Sequence, residues 1–120
     1  MPTHLDELRR MSYPKSTEVG EDLNIFVVRK ADRIELANLT ARSFDNVLLW
    51  INKSYVGRVE RLNVGTDNRF TLRHFVNHHG ETYPVGSLLR PDKSLAMVLA
   101  ELYDPATSAR HRLVVRMGRQ

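Results

Sequence analysis

A chain of 120 residues bounds the protein to one domain with room for a single hydrophobic core. Apolar residues at 42% and charged residues at 27% form an ordinary globular composition and argue against disorder over most of the length. The net charge of +4 arises from 18 Lys and Arg scattered among 14 acids, so it calls for no polyanionic partner. Cysteine is absent, which excludes disulfides and thiolate metal sites without fixing a compartment. No apolar run reaches the length of a membrane span, so no transmembrane segment is expected. The start MPTHLDELRRM lacks the basic-then-apolar order of a secretory signal. A cytoplasmic location is the expectation, with the cell envelope or periplasm as the alternative if the N-terminus is processed.

In chain order, Thr3 with Asp6 and Glu7 reads as the start of a short helix carrying Leu5, Leu8 and Met11 on one stripe, stopped by Pro14. Residues 12–22 are polar, with Pro14 and Gly20, and read as a tether or extended arm that orders on contact with another chain. The expected division is therefore an N-terminal arm over 1–22 and a folded domain over 23–120. The β-branched and aromatic run Ile25-Phe26-Val27-Val28 and the stretch 33–39 read as paired strands, with Ile34 and Leu36 inward and Glu35 outward.

Residues 46–62 form the predicted centre of the fold. Val47, Leu49 and Ile51 alternate with Leu48 and Trp50, so both faces are apolar, as in a buried strand. After Asn52-Lys53-Ser54, Val56, Arg58 and Glu60 alternate with Tyr55 and Val59, as in a partner strand nearer an edge. The turn fits either a two-residue loop at Asn52-Lys53 or a three-residue loop through Ser54, because Lys tolerates positive φ poorly. Turn chemistry at 63–68 precedes a short strand at Phe70 and Leu72. The spacing of Leu72, Phe75 and Val76 then predicts one or two helical turns ending at Gly80. Residues 82–91 read as a long loop pinned by Tyr83, Val85 and Leu88. Strands over 95–103 and 110–117 close the chain as a hairpin, with Leu113, Val115 and Met117 alternating with Arg112, Val114 and Arg116.

This pattern predicts an all-β fold: an antiparallel two-sheet sandwich of six or seven strands, with a short N-terminal helix or extended arm. Leu48, Trp50, Val98, Leu113 and Val115 are the expected core. With its lone Trp in the third strand, the stretch 23–117 resembles the immunoglobulin and fibronectin type III class of sandwiches. That resemblance implies a core position for Trp50, although the cysteine pair is missing. The stretches LWINKSYV, FVNHHGETYPVG and LAELYDP are also similar to short uncharacterised bacterial proteins.

Chemistry-bearing residues are sparse. His74 and His78, four apart on the predicted helix, would share a face and with His79 and Glu81 could hold a metal ion. Histidines at a helix C-terminus near Gly80 explain the same residues without one. No nucleophile elbow or phosphate-binding glycine motif is present, and Glu101 and Asp104 read as a solvated strand end. Arg110, His111, Arg112, Arg116 and Arg119 are the most basic run, with Arg112 and Arg116 expected on one side of one strand. Charged edge residues also protect a sheet from unwanted pairing, so a nucleic-acid role ranks below that explanation. Asn38 and Asn52 begin glycosylation sequons. The sequence therefore points to a noncatalytic domain, without cofactor or metal, that presents loops or an edge strand to a protein partner or larger complex. Tyr83, Arg112 and Arg116 are the candidate binding residues. The alternative is a metal module on His74, His78, His79 and Glu81.

Overall fold

The computed structural model describes residues 4–15, 18–86 and 95–116. Strands β4 (Phe44–Ile51) and β5 (Tyr55–Leu62) form the central hairpin, with Ile51 opposite Tyr55. Both turn features anticipated separately occur together. Asn52 and Lys53 have φ of 54° and 61°, Ser54 N donates to Ile51 O at 3.1 Å, and three residues separate the last paired positions. Positive φ at two successive central residues matches the right-handed twist of the flanking strands, which accommodates the unfavourable Lys conformation.

The other described strands are β1 (Glu18–Val19), β2 (Ile25–Lys30), β3 (Arg33–Asn38), β6 (Gly65–Thr71), β7 (Ala100–Asp104), β8 (Ala109–Arg112) and β9 (Val114–Arg116). They build an all-β sandwich with sheet orders β1-β8-β7-β4-β5 and β6-β3-β2-β9. Antiparallel pairing dominates, while the short outer strands β1 and β9 pair in parallel with β8 and β2. These two additions account for the difference from the expected six or seven strands. The core between the sheets takes Val47, Leu49 and Ile51 from β4, Ile25 and Val27 from β2, and Ile34 and Leu36 from β3. Leu113 is buried with them, and Val115 packs at the periphery.

Trp50 is buried at 3% exposure, but not between the sheets. With Leu48 and Val56 it projects from the opposite face of its sheet and joins Leu8 and Val76 in a second cluster. The helix α1 (His4–Arg9) supplies Leu8 to this outer layer, with Met11 and Tyr13 packed beside it. Trp50 is thus a core residue of the outer layer, because β4 is covered on both faces and its even-numbered residues face the N-terminal segment.

The stretch expected to be a tether is fastened over its described part. Tyr13 Oη donates to Glu101 Oε1 at 2.6 Å, Gly20 N donates to Arg110 O at 2.8 Å and Leu23 N to Arg112 O at 3.0 Å. Gly20 sits close against the His111 ring: a Cβ there would meet Cε1 at 2.3 Å, so the imidazole would have to shift.

Three other expectations are corrected. The predicted helical turns after Leu72 reduce to a 3-10 helix, Leu72–His74, after which the chain extends and Val76 exchanges both backbone hydrogen bonds with Val56 at 2.9 and 3.1 Å. Val98, expected in the core, is 76% exposed, and β7 begins only at Ala100. The cause is Asn52, whose side chain donates to Ala96 O at 2.9 Å and accepts from Val98 N at 2.9 Å and Leu99 N at 3.1 Å, taking the groups a strand would pair. Finally, residues 110–117 are not one strand. Leu113 N donates to Ala100 O at 2.9 Å at the point where the chain leaves one sheet, and Val114 begins β9 in the other. The predicted roles of Leu88, Met117 and Arg119 lie outside the described residues.

Candidate functional site

His74, His78, His79 and Glu81 do not converge. Without a continuous helix, His74 and His78 share no face, and all four residues are exposed. The rings of His78 and His79 lie 3.8 Å apart between centroids at a tilt of 42°, while Asn77 takes over the loop: its Oδ1 accepts from His79 N and Glu81 N, and its Nδ2 donates to Glu81 Oε1. Among the described residues no three His, Asp or Glu side chains gather in a geometry suited to a metal ion.

Tyr83 is not presented to a partner. It is 2% exposed, donates to Leu95 O at 2.6 Å and meets the Tyr55 ring edge-on. Burial pushes its phenol up, opposed by Arg29, whose guanidinium also donates to Val85 O and Leu95 O at 3.2 and 2.8 Å. Tyr83 and Arg29 therefore fasten the loop base. The sequon asparagines are equally engaged, since Asn38 Nδ2 donates to Arg42 O and Asn52 Nδ2 to Ala96 O, both at 2.9 Å. Asp104 holds its turn by accepting from Ala106 N at 3.0 Å.

The C-terminal arginines divide between the two sides of the sandwich. Arg110 is nearly buried, pairs with Glu101 at 3.1 Å and donates to Pro14 O at 2.6 Å, while Arg112 lies opposite Glu101 in the ladder. Arg116 belongs to the other sheet and spreads over the Phe26 ring at 4.2 Å. The switch at Leu113 separates what one strand would have aligned.

What the fold assembles instead is the outer face of the four-stranded sheet. The register sets Phe26 beside Ala37 and Val114, and Val28 beside Glu35 and Arg116. Around this apolar centre stand the exposed Lys30, Arg33, Arg69 and Arg116. Glu35 draws three of them together, at 3.2 Å from Lys30, 3.3 Å from Arg33 and 3.7 Å from Arg69. The Lys30 ammonium, with Arg33 behind it, holds the Glu35 carboxyl below its ordinary range. Four cations thus face Glu35 and, on edge strand β6, the exposed Asp67. A shallow depression of about 380 Å³ lies against Phe26, Val28 and Ala37. Lys30, Arg33 and Arg69 went unread in the sequence because they sit on three separate strands. Their shared outward parity with Glu35 was the available signal.

A second depression, of about 420 Å³, lies on the opposite side between the segment after α1 and the β4–β5 turn. Its wall is apolar at Leu8, Met11, Val56 and Val76, and Trp50 lines it. Tyr13 meets the indole edge-on, 5.5 Å between centroids, and Lys53 lies 5.9 Å from the Tyr13 ring. Burial and the bond to Glu101 raise the Tyr13 phenol to about 12. The indole Nε1–H is buried and has no hydrogen-bond partner. No protein-family model, curated protein or solved structure matches this chain.

Proposed function

We propose that the protein is a noncatalytic interaction domain, an accessory subunit whose four-stranded sheet receives an acidic, partly apolar segment of a partner protein. The observation carrying this reading is the open outer face on which Phe26, Val28, Ala37 and Val114 are rimmed by Lys30, Arg33, Arg69 and Arg116. An apolar centre with a charged rim suits a protein interface: burial supplies affinity, and complementary charge supplies approach and register. The other outer face has its own cover in α1 and Tyr13. We read the scaffold as immunoglobulin-like in architecture, which supports display of such a face without dictating it.

Protein is favoured over nucleic acid because Arg116 already occupies the face of Phe26, the aromatic ring on which a base would have to stack. Glu35 also spends part of the cationic charge internally. The test is a photo-crosslinker at Val28, with the captured protein identified by mass spectrometry, beside the triple variant Lys30→Glu, Arg69→Glu, Arg116→Glu. The expected result is one acidic adduct, lost in the variant at unchanged melting temperature. A strictly monomeric protein with no adduct, or an adduct indifferent to charge reversal, refutes the reading. Retention of single-stranded or duplex probes at low salt would transfer it to nucleic acid.

A further inference from the structure

We propose that the depression beside Trp50 is a binding site for a small amphipathic carboxylate, with its hydrocarbon part against Leu8, Val56 and Val76 and its carboxylate received by Trp50 Nε1–H and Lys53. The site is separate from the sheet face described above.

Its size comes first: about 420 Å³ lies within the range of roughly 300–1,000 Å³ common for small-molecule sites. That volume suits a small molecule and not a folded partner. Its polarity is one-sided. Ser12, Ser54, Asn77, His78 and Lys53 bring hydrogen-bond donors to the lining, and among the described residues it contains no Asp or Glu. Two carboxylates are held by lining residues: Glu101, engaged by Tyr13 and Arg110 at 2.6 and 3.1 Å, and the exposed Glu81, which accepts from Asn77 Nδ2 at 3.1 Å. An acidic ligand meets Lys53 as an opposite charge there, whereas an amine would meet it as a like one.

The specific feature is the indole donor. Trp50 is 3% exposed, and a buried N–H without an acceptor is rare enough in folded chains to require a reason. An acceptor supplied by a ligand is such a reason, and a carboxylate oxygen is the strongest ordinary acceptor. Lys53 is the matching charge: it is exposed on the hairpin turn and, among the described residues, pairs with no carboxylate. Tyr13 packs edge-on against the indole, is tied at its hydroxyl end to Glu101 and lines the depression beside it. The apolar wall then takes the tail, because Leu8, Val56 and Val76 are buried and already form one cluster with Trp50.

The chain contains one tryptophan, so its fluorescence reports on this site alone. Wild-type protein is titrated with octanoate and 3-phenylpropionate, and in parallel with the amide of each. The expected result is a saturable emission change with the acids and affinity about tenfold weaker for the amides. Lys53→Met, checked for folding by circular dichroism, should lose about tenfold for the acids and nothing for the amides. In wild-type protein the indole Nε1–H proton resonance should move downfield on saturation with octanoate. Absence of a saturable change to 10 mM or so, equal affinity for acid and amide, or an indole proton that stays in place at saturation overturns the proposal.

Discussion

Replacing Trp50 separates shape from hydrogen bonding on the outer face of β4. A buried tryptophan removes roughly 150–250 Å² from water, about 4–6 kcal/mol at ~25 cal/mol per Å². Two structural facts reduce what its truncation costs. Its cover is a six-residue helix and the segment through Tyr13, which can settle into part of the cavity. Its Nε1–H also lacks a partner, so deletion removes a buried donor that costs about 1–3 kcal/mol as it stands. Trp50→Ala is therefore expected to destabilise by about 2–3 kcal/mol, below the ~3–5 kcal/mol that a tryptophan between two sheets would lose. Trp50→Phe retains most of the apolar contact and discards the orphan donor, and should stay within about 1 kcal/mol of wild type. Urea titration followed by far-ultraviolet circular dichroism reads both, since the fluorophore is lost. With m of roughly 1–3 kcal/mol per M, Trp50→Ala should move the midpoint down by about 0.7–3 M. The reasoning fails if Trp50→Ala costs no more than His79→Ala at an exposed site, or if Trp50→Phe is as damaging as Trp50→Ala.

Gly57→Ala should cost about 1–3 kcal/mol, because the new Cβ would sit 2.7 Å from two ring carbons of buried Phe75; calorimetry of Gly57→Ala with and without Phe75→Leu tests whether the ring is the obstacle. Asn52→Ala should cost about 2–3 kcal/mol through lost side-chain bonds and a strained positive φ, and should speed proteolysis at 95–99; Asn52→Gly should recover the backbone part alone. Tyr13 has a phenol raised from 10.0 to about 12, so its stabilising contribution is complete below about pH 10 and declines as pH rises through 12. The urea midpoint should fall across that interval in wild type, and this component should vanish in Tyr13→Phe, which itself costs about 1–2 kcal/mol by unpairing one acceptor of Glu101.

Local alternation carried the strands but not their partners. The two-sheet sandwich, the β4–β5 hairpin and the inward Ile34 and Leu36 were legible because burial on a strand has period two. The break after Arg112 was not, and could not have been from that signal. Leu113 and Val115 both face the one core, which the two sheets share, so the alternation runs unbroken while the chain changes sheets. The supposed helix after Leu72 failed for a related reason: Leu72, Phe75 and Val76 are all buried, but by a 3-10 turn followed by an extended segment that happens to reproduce helical spacing. Val98 was misplaced by a side chain far away in sequence, Asn52, which no window around Val98 contains.

The same limit explains why the candidate sites were hidden. Lys30, Arg33, Arg69 and Arg116 are unremarkable singly, and only the register of four strands makes them neighbours. Trp50 was legible as buried but not as facing outward, since Val47 to Ile51 is apolar on both parities and nothing local says which cover is the second sheet and which is α1. That distinction matters chemically. A tryptophan between two sheets would meet hydrocarbon on all sides, and an unpaired N–H there would be a plain defect. Under a short segment tied down at Tyr13 Oη, the same indole lines a depression whose described lining includes Lys53 and no acid. Stability alone would favour phenylalanine at this position; the indole is explained if the donor it leaves unpaired in the folded chain is met from outside.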